Sequence, residues 1–172
     1  MTSYVHRLAV PEDLPLIVEI YNSTVASREV TADTEPVTVA SREGWFAEHT
    51  PQRRPLWVIH AADDKSDRPA VLGWMSYSNF YGRPAYSGTV ELSIYIAESS
   101  RGKGIGAYCL EQAIQFAPSI EVHTLLGFIF GHNVPSLALF AKFGFATWAR
   151  LPRVAKLDGV ERDLIILGKR VA

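Results

Sequence analysis

Three glycines in six residues, Arg101-Gly102-Lys103-Gly104-Ile105-Gly106, stand between a strand-like and a helix-like segment, and no other stretch constrains the fold so strongly. Thr89 to Ile96, before it, is rich in β-branched and aromatic residues, and Ala107 to Ala117, after it, carries apolar residues at helical spacing. A strand, glycine loop and helix in that order bring unpaired first-turn N–H groups and the positive end of the helix dipole to one point. Glycines let a phosphate come close to that point, and Arg101 and Lys103 add full charges. The spacing is not Gly-x-Gly-x-x-Gly followed by an acid, and no Gly-Lys-Ser/Thr follows four variable residues, so neither the dinucleotide-binding turn nor the P-loop fits. Two readings remain from the residues alone: a pyrophosphate cradle, or a tight turn that opens a helix.

The rest of the chain organises around this junction. Tyr4 to Ala9 reads as a strand, and Pro11-Glu12-Asp13 opens a helix that places Leu14, Ile17, Val18, Tyr21 and Val25 on one face. Ala26 to Pro36 is polar and turn-rich, and a second helix around Ser41 to Glu48 presents Trp45 and Phe46. Leu56 to Ala61 and Val71 to Ser78 are strands joined by the solvated loop Asp63 to Asp67. After the central helix, which Pro118 ends, His123 to Phe130 is a buried strand and Asn133 to Phe143 a helix with Gly144 as its left-handed cap. Thr147 to Ala155 and Asp163 to Arg170 fold back around Leu157-Asp158-Gly159. This order predicts an α/β (α+β) fold: a mixed central sheet of about six to seven strands flanked by about four helices. The 172 residues, 48% of them hydrophobic, suit a single domain over 1–172.

A formal net charge of −1 favours neither nucleic acid nor an anionic membrane as partner. The single cysteine, Cys109, excludes an internal disulfide, and its helical spacing from Ile105 and Ala113 reads as a core position rather than a nucleophile. The five histidines show no paired ligand spacing, so no metal is expected. With no targeting segment and no apolar run of membrane-spanning length, the cytoplasm is the expected compartment.

Two further segments join the glycine run. Arg101, Gly104 and Gly106 form Arg-x-x-Gly-x-Gly, and Asn133-Val134-Pro135-Ser136 leads a short helix closed by Gly144-Phe145. These resemble the two signatures of the GNAT N-acetyltransferase superfamily. Arg83-Pro84-Ala85-Tyr86-Ser87-Gly88-Thr89-Val90-Glu91 with Ile94-Tyr95-Ile96, and the amino-terminal Ile20-Tyr21-Asn22 and Thr34-Glu35-Pro36, are similar to the phosphinothricin and methionine sulfoximine acetyltransferase branch.

The resemblance implies the GNAT fold, acetyl-CoA as cosubstrate and a small amine as acceptor. It places the cofactor on Ile94, Tyr95, Ile96, Arg101, Gly102, Lys103, Gly104, Ile105, Gly106, Ala107, Asn133 and Ser136. It makes Glu91 the general base, and Arg83, Tyr86, Glu91 and Ser93 the acceptor site. Homodimers are common among its members.

Each assignment has a plainer alternative. An acid in an apolar strand has its pKa raised by desolvation, as a base for an ammonium requires, but a strand carboxylate can also face solvent or pair with an arginine. Backbone N–H groups beside Ile94, Tyr95 and Ile96 would meet an oxyanion only if their strand parts from its neighbour. Asn133 can be a helix cap, and Arg83, whose planar fork suits a carboxylate, can be an exposed loop residue.

Two residues depart from the branch. Phe140 stands where many superfamily members have a tyrosine that can protonate the leaving thiolate and the branch often has histidine, and Asp163 follows Glu161-Arg162 where the branch tends to have a tryptophan two residues ahead. Tyr108 and Tyr95 are remoter acid candidates. The expected activity is acetyl transfer from acetyl-CoA to the amine of an amino acid or amino-acid-like compound, directly in a ternary complex. The rival readings are a peptide or protein amine acetyltransferase and a CoA-binding sensor without catalysis.

Overall fold

The computed structural model describes residues 3–172. Seven strands, β1 (Tyr4–Leu8), β2 (Leu56–Ala61), β3 (Gly73–Asn79), β4 (Thr89–Ile96), β5 (Thr124–Phe130), β6 (Ala146–Leu157) and β7 (Val160–Arg170), form one sheet in the order β1-β2-β3-β4-β5-β7-β6. Every pairing is antiparallel except β4 with β5. Four helices, α1 (Leu14–Val25), α2 (Val39–Ala47), α3 (Ile105–Phe116) and α4 (Val134–Lys142), complete the mixed α/β architecture that the sequence predicts.

Two apolar clusters cover the two faces of the central strands. On one face Trp57, Ile59, Met75, Tyr77, Val90 and Leu92 pack with Ile105, Cys109 and Leu110 of α3 and with Phe140 of α4. On the other, Leu56, Val58 and Trp74 pack with Ile17 and Ile20 of α1. Strands buried on both sides read as continuous apolar runs, which is why β2 and β5 show no polar alternation.

Differences from the sequence reading lie at element ends. α2 starts at Val39 because Thr38 caps it: Thr38 Oγ1 accepts from Ser41 N–H at 3.1 Å, and Thr38 N–H donates to Ser41 Oγ at 3.2 Å. The closing hairpin is longer than expected and turns on Asp158-Gly159, both at positive φ (49° and 81°), as a two-residue turn requires. Pro152 lies within β6, where a register shift between Leu151 and Ala155 absorbs it. α4 is capped by Asn133, and Gly144 lies past its end at φ 81°, as its position predicts.

Candidate active site

The decisive feature is where β4 and β5 part. They pair only through Thr89↔Thr124, Val90↔Leu125 and Glu91↔Leu126; beyond that point both strands continue without each other. Tyr77 N–H bonds to Pro55 C=O, and Ala97 N–H bonds to Leu72 C=O. The alternation of an antiparallel ladder then turns the amides of Ser93 and Tyr95 toward β3 and those of Leu92, Ile94 and Ile96 into the gap. Ile94 and Ile96 therefore present their N–H groups as expected. Tyr95 does not, and Leu92, which sequence spacing did not single out, does.

The gap opens into a groove of about 520 Å³ between β4, β5, α3 and α4. Gly106, Asn133, Ser136 and Phe140 line it together with Leu92 to Ile96. At its mouth the glycine run bends through Gly102 (φ 72°) and Gly104 (φ 88°), and a Cβ on either would meet no protein atom within 4 Å. The space beside these two residues is open to a ligand. Gly104 stands at the N-cap of α3, so the amides of Ile105, Gly106 and Ala107 are first-turn donors. Gly106 has a second cause that the sequence hid: its Cβ would lie 2.8 Å from Leu139 Cδ2, so any side chain there would force the end of the Leu139 side chain to turn aside. Lys103 Nζ donates to Ser99 C=O at 2.8 Å, and Arg101 Nε reaches the free carbonyl of Ile96 at 3.4 Å. Tyr4 on β1 donates to Lys103 C=O at 2.7 Å and braces the loop, a role with no sequence signal.

On the opposite face of β4 lies a second pocket, of about 230 Å³, walled by α1 and α2. Its floor is three cross-strand pairs: Trp74 with Tyr95, whose rings stack at 4.6 Å, Ser76 with Ser93, and Ser78 with Glu91. Tyr21, Arg42 and Trp45 complete its sides. Glu91, Ser93 and Tyr95 border both cavities, so the two meet across this stretch of β4. Burial alone pushes the Glu91 carboxyl up to about 7, into the range where an acid can exchange a proton at neutral pH.

The remaining expectations divide. Asn133 caps α4, its Oδ1 accepting from Ser136 N–H at 3.3 Å, and its Nδ2 donates to Glu29 C=O at 3.2 Å, so capping and groove lining coexist. Arg83 and Tyr86 are not brought to Glu91. The turn between β3 and β4 carries them past the strand ends, where they line a separate cavity of about 590 Å³ with Arg53 and Arg54. Phe140 is 6% exposed and packs edge-on against Phe145. Cys109 is buried, and burial pushes its thiol up to about 12, which fits the core reading. Among the described residues no helix is long and apolar enough to cross a membrane, and no three His, Cys, Asp or Glu side chains cluster as a metal site.

A parted parallel strand pair beside a glycine-opened helix, with one carboxylic acid at the fork and a pocket on each side, is a frame suited to an acyl-transfer enzyme. Residues 5–146 match the family model described as an acetyltransferase (GNAT) domain, and the chain belongs to that family and is an N-acetyltransferase. Among its relatives, YwnH of Bacillus subtilis, provisionally named a phosphinothricin acetyltransferase, is 52% identical over 96% of this chain and 98% of that protein. The L-methionine sulfoximine/L-methionine sulfone acetyltransferase of Pseudomonas aeruginosa is 32% identical over 90% of this chain and 87% of its own length. The crystal structure of a GNAT phosphinothricin acetyltransferase from Sinorhizobium meliloti with acetyl-CoA superposes with TM-score 0.88 at 29% identity, covering 99% of this chain and 89% of that one.

Proposed function

We propose that the chain acetylates the amine of a small amino acid or amino-acid-like compound, of the phosphinothricin or methionine sulfoximine type, using acetyl-CoA directly in a ternary complex. The observation that carries this is the position of Glu91 between a long groove and a small pocket that share the edge of β4. The groove's chemistry fits acetyl-CoA: glycines with open space beside them, unpaired first-turn amides and free strand N–H groups suit a pyrophosphate and an extended pantetheine amide chain. When bound there, acetyl-CoA supplies an acetyl group already activated as a thioester.

The chain's own residues do the rest. The amides of Ile105, Gly106 and Ala107 hold negative charge at the start of α3. The N–H groups of Leu92, Ile94 and Ile96 lie along the gap, where one of them can meet the oxygen on which charge develops. Glu91, ionised near neutral pH, takes a proton from the acceptor's ammonium directly or through water, freeing the neutral amine that attacks the thioester. The buried Phe140 offers no proton to the departing thiolate, and with a thiol pKa of about 8.5 that group can leave without one.

The acceptor pocket's volume, about 230 Å³, lies below the roughly 300–1,000 Å³ typical of sites for drug-sized ligands. It favours a small metabolite over a peptide or protein amine. The buried, high-pKa Cys109 disfavours an acyl-enzyme and so supports direct transfer. The reading also carries two identical chains in solution and the cytoplasm as compartment; sedimentation at twice the 19.1 kDa chain mass is the expected result, and a monomer would overturn the pairing.

The test of function is a mass-spectrometric screen of free amino acids, methionine sulfone and phosphinothricin against peptide amino termini, with acetyl-CoA. Free amino-acid-like amines should be acetylated and peptides not; the reverse would overturn the proposal. Initial rates varied in both substrates should give intersecting reciprocal plots, whereas parallel lines would point to an acyl-enzyme.

A further inference from the structure

The acceptor pocket contains a polar group that the protein leaves unsatisfied. Ser76, midway along β3, is 1% exposed, and its Oγ has no hydrogen-bond partner among the described residues. Buried hydroxyls are almost always paired, because leaving one unpaired costs about as much as a hydrogen bond is worth. Ser76 faces into the pocket from its floor, beside Ser93 across the strand and one pair away from Glu91. Nothing in the packing of α1, α2 or β4 answers it.

A second polar group stands on the pocket's side. Arg42, on α2, is the one cation lining this cavity among the described residues. Its guanidinium lies 4.9 Å from the centre of the Tyr21 ring, and its Nη2 donates to Asp33 Oδ2 at 2.9 Å. Asp33 is held in turn by the Tyr21 hydroxyl. One contact to Asp33 uses one of five guanidinium donors, and the ring beneath fixes the plane of the others. An arginine clamped in this way is oriented before any ligand arrives, so little side-chain freedom is lost on binding.

From these two observations we infer that Ser76 and Arg42 determine acceptor specificity: Arg42 holds the acceptor's carboxylate, and Ser76 Oγ hydrogen-bonds a polar group on its side chain. This rests on the proposed amino-acid acetyltransferase reading and reassigns carboxylate binding from Arg83, which lines a different cavity. The acceptor amine then meets Glu91 while its two other polar ends are read by β3 and α2, and the stacked Trp74 and Tyr95 pack against the carbon chain between them.

The test measures kcat/KM of the wild type, Ser76→Ala, Arg42→Gln, Arg42→Lys and Arg83→Gln on three probes: methionine sulfone, methionine, and the carboxamide of methionine sulfone. In the wild type the sulfone should exceed both of the others. Ser76→Ala should lower the sulfone-to-methionine ratio by about 3- to 10-fold, as loss of one neutral hydrogen bond predicts. Its melting temperature should be unchanged or higher, since an unpaired buried hydroxyl is removed; a serine kept for structural reasons would give a lower one. Arg42→Gln should raise the KM for the sulfone by about 10- to 100-fold, remove the preference for acid over carboxamide and leave the KM for acetyl-CoA unchanged. Arg42→Lys should not restore it, because an ammonium has no planar fork to lie on Tyr21.

Unaltered ratios in active Ser76→Ala and Arg42→Gln proteins would overturn the inference, as would loss of carboxylate preference in Arg83→Gln alone. If the wild type acetylates no free amino-acid-like amine, it is the proposed function that fails.

Discussion

At the scale of single residues, Glu91 makes the sharpest predictions, because burial moves its carboxyl from 4.5 to about 7 without help from any neighbouring charge. Glu91→Gln should lose about 10²- to 10⁴-fold in kcat at neutral pH and regain part of it as rising pH deprotonates the amine unaided. The wild-type profile should rise through about pH 7 as the carboxyl ionises. Wild-type kcat retained by Glu91→Gln across the pH range, with single-turnover rates showing chemistry to be limiting, would rule Glu91 out as base. Stability gives an independent readout. A carboxyl with a raised folded pKa binds its proton more tightly in the native state, so native stability falls as pH rises from about 4.5 to about 7 and stays lower above. Glu91→Gln should therefore match the wild type in unfolding free energy near pH 4 and exceed it near pH 8, by at most about 3 kcal/mol, as denaturant unfolding at the two pH values would measure. Both effects were open to sequence reasoning, since an acid between Val90 and Leu92 in a strand is an acid in an apolar setting. The unpaired hydroxyl of Ser76 was not, because nothing local distinguishes it from Ser78 or Ser93.

At the scale of elements, the glycine run and α3 behave as one unit with two separable functions. Gly104 sits at φ 88° with open space at its missing Cβ, so Gly104→Val strains the turn by about 1–3 kcal/mol and fills the ligand side without touching the core. Calorimetry should show weakened acetyl-CoA binding by a folded protein; unchanged affinity would sink the cradle assignment. Gly106→Ala acts from the other side. Its methyl would meet Leu139 Cδ2 at 2.8 Å and turn the end of that side chain aside, at a cost of about 0.5–1.5 kcal/mol in thermal or denaturant unfolding, with a smaller effect on cofactor binding than Gly104→Val. The same six residues thus carry a binding signal visible in the sequence and a packing constraint that is not, because Leu139 is 33 positions away and meets Gly106 only in the folded chain.

At the scale of the whole molecule, the segment between α1 and α2 straps the two cavities together. Val30, Thr31 and Ala32 line the groove between β4 and β5, while Thr31 Oγ1 lies 2.5 Å from the Tyr21 hydroxyl beside the smaller pocket. Distant elements anchor it: His132 Nε2 meets Arg28 C=O at 2.7 Å, Asn133 donates to Glu29 C=O, and Arg28 Nε bonds Asp158 Oδ2 at 2.9 Å on the β6–β7 turn. Within the segment's own neighbourhood Asn22 grips the backbone of Val37 with two bonds of 2.8 Å. Asn22→Ala should cost about 1–3 kcal/mol, and it should raise the KM of both substrates together, since one strap borders both pockets. Amide exchange over residues 28–37 should quicken; a change confined to one substrate's KM would separate the strap from the other pocket.

The sequence by itself determined the elements and their order, since periodicity, Pro118, Gly144 and the caps act within a few residues and leave their mark locally. It also marked out the residues of the proposed cofactor cradle, because a phosphate cradle is made of consecutive backbone groups. Tertiary structure alone assembled the proposed acceptor side. That pocket is assembled from α1, α2, β3 and β4, and its membership depends on which side chains of separate strands share a face and where the turn after β3 carries Arg83. Which amides of β4 remain free was likewise beyond the sequence: it depends on the register with β3 on one side and on the point, just after Glu91↔Leu126, where β5 departs on the other.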